Sequence, residues 1–347
     1  MKERQQNFEL LRIIAMFMIV VSHVITHYIM KADMEISGVN NFLLSLLRAV
    51  IYVCVNVYII ITGYFSINSK QLKITKIMNV ALLPGFISAM LLMVLMVFGD
   101  IDFDIWRIVG KLFATFRGEY WFISTYFALC LFIPFLNKII HTISQKEFQQ
   151  FLLLLTSVGI IWPFFVDSEA FISFNSGFSL IFFFFLYSVG AYIRLYGAFF
   201  KDFTRNQYLI SYLMLALVTG ILQFGLPEID FLNYNGPFEF TMSYFIFMYI
   251  KNVKVNSVKI NIIATYTLSV YLVHEQSEVR EFIWNLPFIH QIILWSPITF
   301  IPAIIFVAVM VFTVSWITGY MLTNIYKKVE QFVIYVLETR ADNPTIE

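Results

Sequence analysis

Residues 8–30 read FELLRIIAMFMIVVSHVITHYIM, and this stretch sets the architecture of the chain. It is as long as a helix must be to cross a lipid bilayer, which takes about 20 mostly apolar residues. It nevertheless contains Arg12, His23 and His27. Because ionisable groups inside a membrane are costly, those that occur there are candidates for a functional site.

Arg12 and His23 are separated by eleven positions. At about 100° per residue, this spacing places both side chains on one face of a helix, about 16 Å apart along its axis. His27 follows His23 by about one turn, on nearly the same face. We therefore expect an anion to bind near Arg12, at one end of the helix, and proton chemistry to occur deeper, at His23.

The composition is that of an integral membrane protein. Of the 347 residues, 60% are hydrophobic and 13% are charged, roughly half the charged share of soluble domains. Membrane lipids are therefore the expected surroundings, and the net charge of +1 gives no indication of a nucleic-acid partner. Cys54 and Cys130 lie in apolar stretches, where cysteine is usually a small buried side chain, so we predict neither a disulfide nor a metal site.

Apolar runs of about spanning length recur along the whole chain and predict an all-α, polytopic membrane protein of about ten transmembrane helices. No linker or low-complexity segment divides them, so residues 1–347 are interpreted as a single transmembrane domain without a separate soluble domain. The runs cover residues 8–30, 42–65, 75–98, 120–140, 151–167, 178–196, 207–226, 237–251, 260–276 and 290–324.

Lysine and arginine are enriched on the cytoplasmic side of membrane proteins. With the N-terminus placed inside, fifteen of these residues fall in the inner segments and six at the outer ends. This distribution predicts that both termini are cytoplasmic. In that orientation His23 and His274 both lie toward the outer half of the membrane, where they could share a cavity; the alternative is two unrelated buried histidines.

Imidazole is the natural general base near neutral pH, and acyl transfer to a hydroxyl needs such a base and donors for the developing oxyanion. The candidate donors within apolar runs are Asn56, Tyr58, Thr62, Tyr64, Tyr120 and Trp121. A carboxylate that orients the histidine would help. Three glutamates at outer helix ends are candidates, although each could also be an interfacial charge: Glu119, Glu239 and Glu275.

Lys70, Lys73 and Lys76 follow the second apolar run on the inner side. They are either the ordinary positive flank of a membrane span or, together with Arg12, a clamp for a polyphosphate. The sequence has no glycine-rich phosphate loop and no GxSxG motif, which argues against nucleotide-binding and serine-hydrolase folds.

In the outer loop of residues 100–119, Phe103, Trp106, Val109 and Phe113 recur at helical spacing. With charged residues between them, they predict a short helix that lies in the membrane interface. The alternative is that this loop lines the mouth of a site.

Two motifs near the N-terminus resemble those of acyltransferase family 3, the membrane-bound O-acyltransferases of bacterial surface polysaccharides. The first is LLRIIAMFMIVVSH, in which Arg12 and His23 match the family's basic residue, ten intervening residues and histidine. The second is CVNVYIIITGYF, in which Thr62 stands where the family usually has serine. Lys70 and Lys73 stand where the family often has an Arg-x-x-Arg pair, and so they keep the charge but lose the planar fork.

Three later segments resemble the same family: GEYWFISTYFALCLFIPFLN, FLYSVGAYI and YTLSVYLVHE, the last of which contains His274. Order and spacing together make the resemblance specific, and it covers most of the chain as a single-domain member. It implies a bacterial cytoplasmic membrane enzyme with acetyl-coenzyme A or another acyl-coenzyme A as donor. The acceptor would be a sugar hydroxyl of a surface glycan or of its lipid-linked precursor.

The resemblance also implies roles for individual residues. His23 would act as general base or accept the acyl group transiently, and Arg12, Lys70 and Lys73 would bind the phosphates of coenzyme A. Acceptor-binding or oxyanion-stabilising roles are predicted for Asn56, Tyr64, Trp121 and His274. The alternatives are a transporter or flippase of lipid-linked sugars, which should show internal repeats or broken helices, and a glycan polymerase, which usually has a large outer loop.

Overall fold

The computed structural model describes residues 5–30, 36–72, 74–99, 101–166, 174–286 and 296–342. Every regular element within these ranges is helical. The α-helices are α1 (Gln6–Val24), α2 (Gly38–Ile51), α3 (Cys54–Ser66), α4 (Ile74–Phe98), α5 (Ile105–Leu112), α6 (Trp121–Thr142), α7 (Gln145–Thr156), α8 (Trp162–Phe165), α9 (Leu180–Tyr196), α10 (Arg205–Gly225), α11 (Pro237–Lys251), α12 (Val258–Thr265), α13 (Thr267–His274), α14 (Ser277–Trp284) and α15 (Pro297–Asp342). Short π-helices follow α1 (Ile25–Ile29) and α7 (Ser157–Ile161), and a 3-10 helix covers Asn175–Gly177.

Seven helical segments of the described ranges are long and apolar enough to cross a membrane: Gln6–His27, Gly38–Ser66, Ile74–Phe98, Trp121–Thr142, Gln145–Phe165, Arg205–Gly225 and Pro297–Tyr335. The predicted all-helical, multi-pass architecture is thus confirmed. The apolar runs 178–196, 237–251 and 260–276 form shorter helices, α9, α11 and the α12–α13 pair. The number ten and the cytoplasmic position of both termini stay predictions.

The helix α1 lies at the centre of the bundle, where α3, α11, α12, α13 and α15 pack around it. In its most apolar window 61% of the residues are buried, compared with 22% for α6 on the periphery. The polar side chains of α1 are therefore surrounded largely by protein, which is where ionisable residues of membrane helices are tolerated.

Two glycines allow α3 and α9 to pack at very short range. A Cβ atom at Gly63 would lie 2.0 Å from the carbonyl oxygen of Tyr187, and one at Gly190 would lie 2.1 Å from that of Ile60. Small residues at helix interfaces in membranes permit this kind of backbone contact. The glycines of the TGYF and SVGAY motifs are thus packing residues that hold α3 against α9.

The helix boundaries differ from the apolar runs in two places. The run 42–65 is divided into α2 and α3 by a turn at Tyr52 and Val53, whose φ and ψ angles stay close to helical values. Hydropathy does not register such a turn because its residues are themselves apolar. The last run was expected to end at residue 324, but α15 extends to Asp342, since the following residues keep apolar side chains at helical spacing.

Candidate active site

Four side chains meet where the end of α1 lies against the end of α13. The Nδ1 atom of His23 lies 2.9 Å from Nε2 of His274, although 251 positions separate them in the chain. The Oε1 atom of Glu275 lies 3.1 Å from Nδ1 of His23 and 2.8 Å from Nε2 of His27. We refer to His23, His27, His274 and Glu275 as the His–Glu cluster.

Hydrogen-bond partners determine which ring nitrogens of this cluster carry protons. The Nδ1 atom of His274 lies 2.6 Å from the carbonyl oxygen of Val270, which can only accept, so Nδ1–H donates. In a neutral His274, Nε2 is then an acceptor, and Nδ1–H of His23 donates to it, while Oε1 of Glu275 lies 3.1 Å from the same Nδ1. The Nε2 atom of His23 therefore keeps its lone pair, which makes it the available base.

Glu275 is a buried carboxylate whose burial is offset by donors from three directions. Besides the hydrogen bond from His27 and the close contact with His23, Nη1 of Arg280 donates to Oε2 over 3.1 Å. A carboxylate in this position holds the imidazole of His23 in one orientation and would stabilise the imidazolium formed when His23 takes up a proton.

Two local backbone features bring these side chains together. The helix α1 widens into a π-helix at Ile25–Ile29, which includes His27, and π-turns often occur at functional sites. On the opposite side α13 ends at His274. The next helix, α14, is capped at its N-terminus by Gln276, whose side-chain oxygen accepts a hydrogen bond from the N–H of Val279 over 2.8 Å. The resulting corner carries the Glu275 side chain back toward α1.

A cavity of about 400 Å³ runs beside α1, and Arg12 and His23 both line it. This agrees with the shared face that their spacing predicts. Because α1 is regular between them, the two residues are about 16 Å apart along the helix axis. Glu9 accepts a hydrogen bond from Arg12 and also lines the cavity, so it reduces the positive charge at that end.

The first turn of α6 forms part of the cavity wall, to which Trp121, Phe122 and Ile123 all contribute. The N-cap residue of this helix, Tyr120, makes no capping hydrogen bond with its side chain, and the backbone N–H of Phe122 lies at the hydroxyl of Tyr271. The first amide N–H groups of a helix have no intrahelical acceptor and carry the positive end of its dipole. The N–H groups of this turn that have no other partner are candidates to stabilise a negatively charged oxygen.

The residues predicted to bind the acceptor or to stabilise the oxyanion lie in different places. Trp121 lines the cavity, whereas Asn56 is buried outside its wall and donates to the carbonyl oxygen of Tyr234 over 2.8 Å. The hydroxyl of Tyr64 accepts a hydrogen bond from Arg194 over 3.3 Å, and it too lies outside the cavity wall. The catalytic roles of these residues stay predictions, and the structure indicates structural contacts for Asn56 and Tyr64.

The basic residues after α3 also separate. Lys76, in the first turn of α4, lines the cavity. Lys70 is exposed and lies outside the cavity wall, and Lys73 lies outside the described residues. Lys76 thus belongs to the predicted three-lysine clamp, whereas the family resemblance implied roles only for Lys70 and Lys73.

The three glutamates that could orient a histidine are distinguished by their surroundings. Glu275 belongs to the His–Glu cluster, whereas Oε1 of Glu119 accepts from Nζ of Lys111 over 2.7 Å in a separate group. Glu239 is fully buried, and neither of its carboxyl oxygens has a hydrogen-bond partner among the residues that the structure describes. Geometry thus favours Glu275.

Two further residues belong to the site but were not predicted. Tyr271 lines the cavity, and its ring centroid lies 6.2 Å from that of His23. Its position one helical turn before His274 was a usable signal. Arg280 offered no such signal, because the corner between α13 and α14 interrupts the helical period between it and Glu275.

His23, His274 and Glu275 are also residue types that bind metals, and their ligand atoms lie within 4.8 Å of one another. Two nitrogen ligands of a tetrahedral zinc ion at ~2.0 Å are separated by about 3.3 Å. The 2.9 Å between the two imidazoles is shorter and has the length of a hydrogen bond. Shared protons therefore account for the geometry of the cluster.

The chain is thus a multi-pass helical bundle with a cavity along its central helix and a largely buried cluster of three histidines and one glutamate. Residues 5–320 match the acyltransferase domain family, acyltransferase 3, and the chain belongs to this family. The resemblance predicted from the motifs is thereby confirmed over nearly the whole chain, and acyl transfer is the reaction class of the family. Comparisons with curated proteins and with solved structures found no match.

Proposed function

We propose that the protein transfers an acetyl or other short acyl group from acyl-coenzyme A to a sugar hydroxyl of an exported or surface glycan, or of its lipid-linked precursor. The observation that carries this proposal is that a single cavity is lined by Arg12 and by His23, whose Nε2 is available as a base. The proposed location is the bacterial cytoplasmic membrane, with both termini inside. In that orientation the Arg12 end of the cavity faces the cytoplasmic donor.

Acyl-coenzyme A enters this scheme as a substrate. Arg12 and Lys76 at the cavity, with Lys70 and Lys73 nearby in the chain, provide cations for its phosphates. Its extended arm lies along α1, and the thioester reaches His23 after about 16 Å of helix rise. The proposal includes no metal and no further cofactor.

In the transfer step, Nε2 of His23 takes the proton of the sugar hydroxyl while the hydroxyl oxygen attacks the thioester carbonyl. The N–H groups at the start of α6 stabilise the resulting oxyanion, and Glu275 stabilises the imidazolium. Collapse of the tetrahedral intermediate breaks the carbon–sulfur bond, and the departing thiolate recovers the proton from His23. The products are the sugar ester and free coenzyme A.

A second route uses the same atom, because Nε2 could first accept the acyl group and then pass it to the sugar. The two routes differ when the acceptor is omitted. A stoichiometric burst of coenzyme A before acceptor is added indicates an acyl-histidine intermediate, and direct transfer gives none.

The test is the release of free coenzyme A from acetyl-coenzyme A by purified protein in nanodiscs, with a crude glycan extract as acceptor. We expect acceptor-dependent release that His23→Ala abolishes. His141→Ala is the matched control, because this exposed histidine contacts the carbonyl oxygen of Ile67, away from the His–Glu cluster. Release that persists in His23→Ala would mean that another residue is the base. Folded protein that neither binds the donor nor releases coenzyme A would favour the transporter or flippase.

A further inference from the structure

A second polar pocket, of about 340 Å³, lies between α5 and α14. Its lining is almost entirely charged or hydroxylated, unlike that of the cavity beside α1. Besides Gly110, it is lined by Arg107, Lys111, Arg117, Glu119, Ser277 and Glu278. We refer to it as the α5–α14 pocket.

Ion pairs within this pocket engage both carboxylates. Nζ of Lys111 lies 2.7 Å from Oε1 of Glu119 and 3.0 Å from Oε2 of Glu278, and it also contacts the hydroxyl of Ser277. Nη2 of Arg107 lies 3.0 Å from Oε1 of Glu278. The two carboxylates thus neutralise Arg107 and Lys111. The charge of the third cation of the pocket is not neutralised by them.

That third cation is Arg117, which is exposed and forms no ion pair with any residue in the described ranges. Its guanidinium lies over Gly110, because a Cβ atom at position 110 would come within 2.5 Å of Nη1 of Arg117. The missing side chain of Gly110 therefore makes room for the guanidinium at the pocket. The pocket thus offers an unneutralised, fork-shaped donor group to an anion.

The chain connects this pocket directly to the His–Glu cluster. Glu275 directs its carboxylate to His23, and Ser277 and Glu278 contact Lys111 on the other side of the same corner. Three residues of chain span at most about 11 Å. The α5–α14 pocket and the His–Glu cluster therefore lie on the two sides of one short corner of the chain.

We infer that the α5–α14 pocket binds the sugar acceptor, and that this acceptor is anionic, with its carboxylate or phosphate at Arg117. The role of the bound sugar as acyl acceptor rests on the proposed function. The carboxylates of Glu119 and Glu278 and the hydroxyl of Ser277 suit a polyhydroxylated molecule, because sugar hydroxyls donate hydrogen bonds to them. A bare lipid phosphate has no hydroxyl groups to donate to these acceptors, and the two carboxylates would repel it.

The test is a direct binding measurement on the full chain in zwitterionic nanodiscs, without acyl-coenzyme A. The probes are a uronic-acid disaccharide, a hexose 1-phosphate and a neutral disaccharide of the same size. We expect the anionic sugars to bind about tenfold more tightly than the neutral one. Arg117→Gln should remove this preference, and Arg117→Lys should keep part of it. The matched control is Arg205→Gln, an exposed arginine at the start of α10, which should leave the preference intact.

Equal affinity for neutral and anionic sugars, or a preference that survives Arg117→Gln, would overturn the inference. The same measurement is repeated in nanodiscs that contain phosphatidylglycerol. Loss of the preference for anionic sugars in these nanodiscs would assign Arg117 to a lipid headgroup instead. Because binding is measured without a donor, a preference that depends on Arg117 would stand even if no coenzyme A were released. If release does occur, Arg117→Gln should raise KM for an acidic acceptor and leave KM for acetyl-coenzyme A unchanged.

Discussion

The Nδ1 atom of His23 lies 2.9 Å from Nε2 of His274, and the second nitrogen of His274 is committed to the carbonyl oxygen of Val270. This chain of hydrogen bonds runs in one direction and leaves Nε2 of His23 as the basic atom. In the proposed transfer the two histidines act as a unit, in which His23 contacts the substrate and His274 orients the imidazole of His23.

His274→Ala tests this division of roles. Removing an acceptor of His23 should lower kcat by about 10–100-fold, less than the roughly 10²–10⁴-fold loss expected for a general base such as His23. KM for acetyl-coenzyme A should stay unchanged, because His274 lies outside the cavity wall. Steady-state kinetics of both variants measure the difference. An equal or larger loss in His274→Ala would make His274 the base.

Glu275→Gln and Glu239→Gln form a matched pair, because both replace a buried glutamate by an amide of the same shape. Glu275→Gln should lower kcat at least tenfold, since it removes the charge that stabilises the imidazolium of His23. Glu239→Gln should keep kcat and keep or raise Tm, because neither oxygen of Glu239 has a hydrogen-bond partner in the described part of the chain. The opposite ranking of the two kcat values would transfer the orienting role to Glu239.

Lys76→Gln should raise KM for acetyl-coenzyme A several-fold and leave kcat nearly unchanged, because Lys76 lines the cavity without belonging to the His–Glu cluster. Lys70→Gln should raise KM less, since Lys70 is exposed outside the cavity wall. Donor titration of both variants gives the comparison. A larger effect at Lys70 would place the phosphates outside the cavity, along the Lys70–Lys73 motif.

Gly190→Ala should destabilise the bundle by about 1–3 kcal/mol, because its Cβ would collide with the backbone of Ile60 on α3. The matched control is Gly225→Ala at the end of α10, where a Cβ meets no atom of the described chain within 4 Å. Thermal unfolding in detergent should show a lower Tm for the first variant only. Equal Tm values would mean that α3 and α9 can move apart without lowering the stability of the bundle.

The pH dependence of stability should report on the α5–α14 pocket. Burial disfavours the charged form of Glu278, but hydrogen bonds from Lys111 and Ser277 outweigh it and lower its pKa to about 2. A carboxyl whose pKa is lowered by folding stabilises the protein above its unfolded value, here 4.5, and loses that contribution as the pH falls toward about 2.

Glu278→Gln should therefore have a lower Tm than the unmodified protein at pH 7, and the difference should shrink progressively from pH 4.5 to pH 3. Glu281→Gln, an exposed position on the same helix without an ion pair in the described ranges, is the control and should show no such trend. A difference in Tm that is independent of pH would show that the ion pairs of Glu278 do not contribute to stability.

The sequence by itself determined the membrane architecture, the family and the shared face of Arg12 and His23. These features follow from hydropathy and from the 3.6-residue period of a helix, which act within one segment. The tertiary structure decided which of three glutamates meets His23, that Lys76 and not Lys70 lines the cavity, and that Arg280 pairs with Glu275. Those outcomes depend on how α1, α4, α13 and α14 pack and on the corner at residues 275–276, and no local period encodes a contact between residues 251 positions apart.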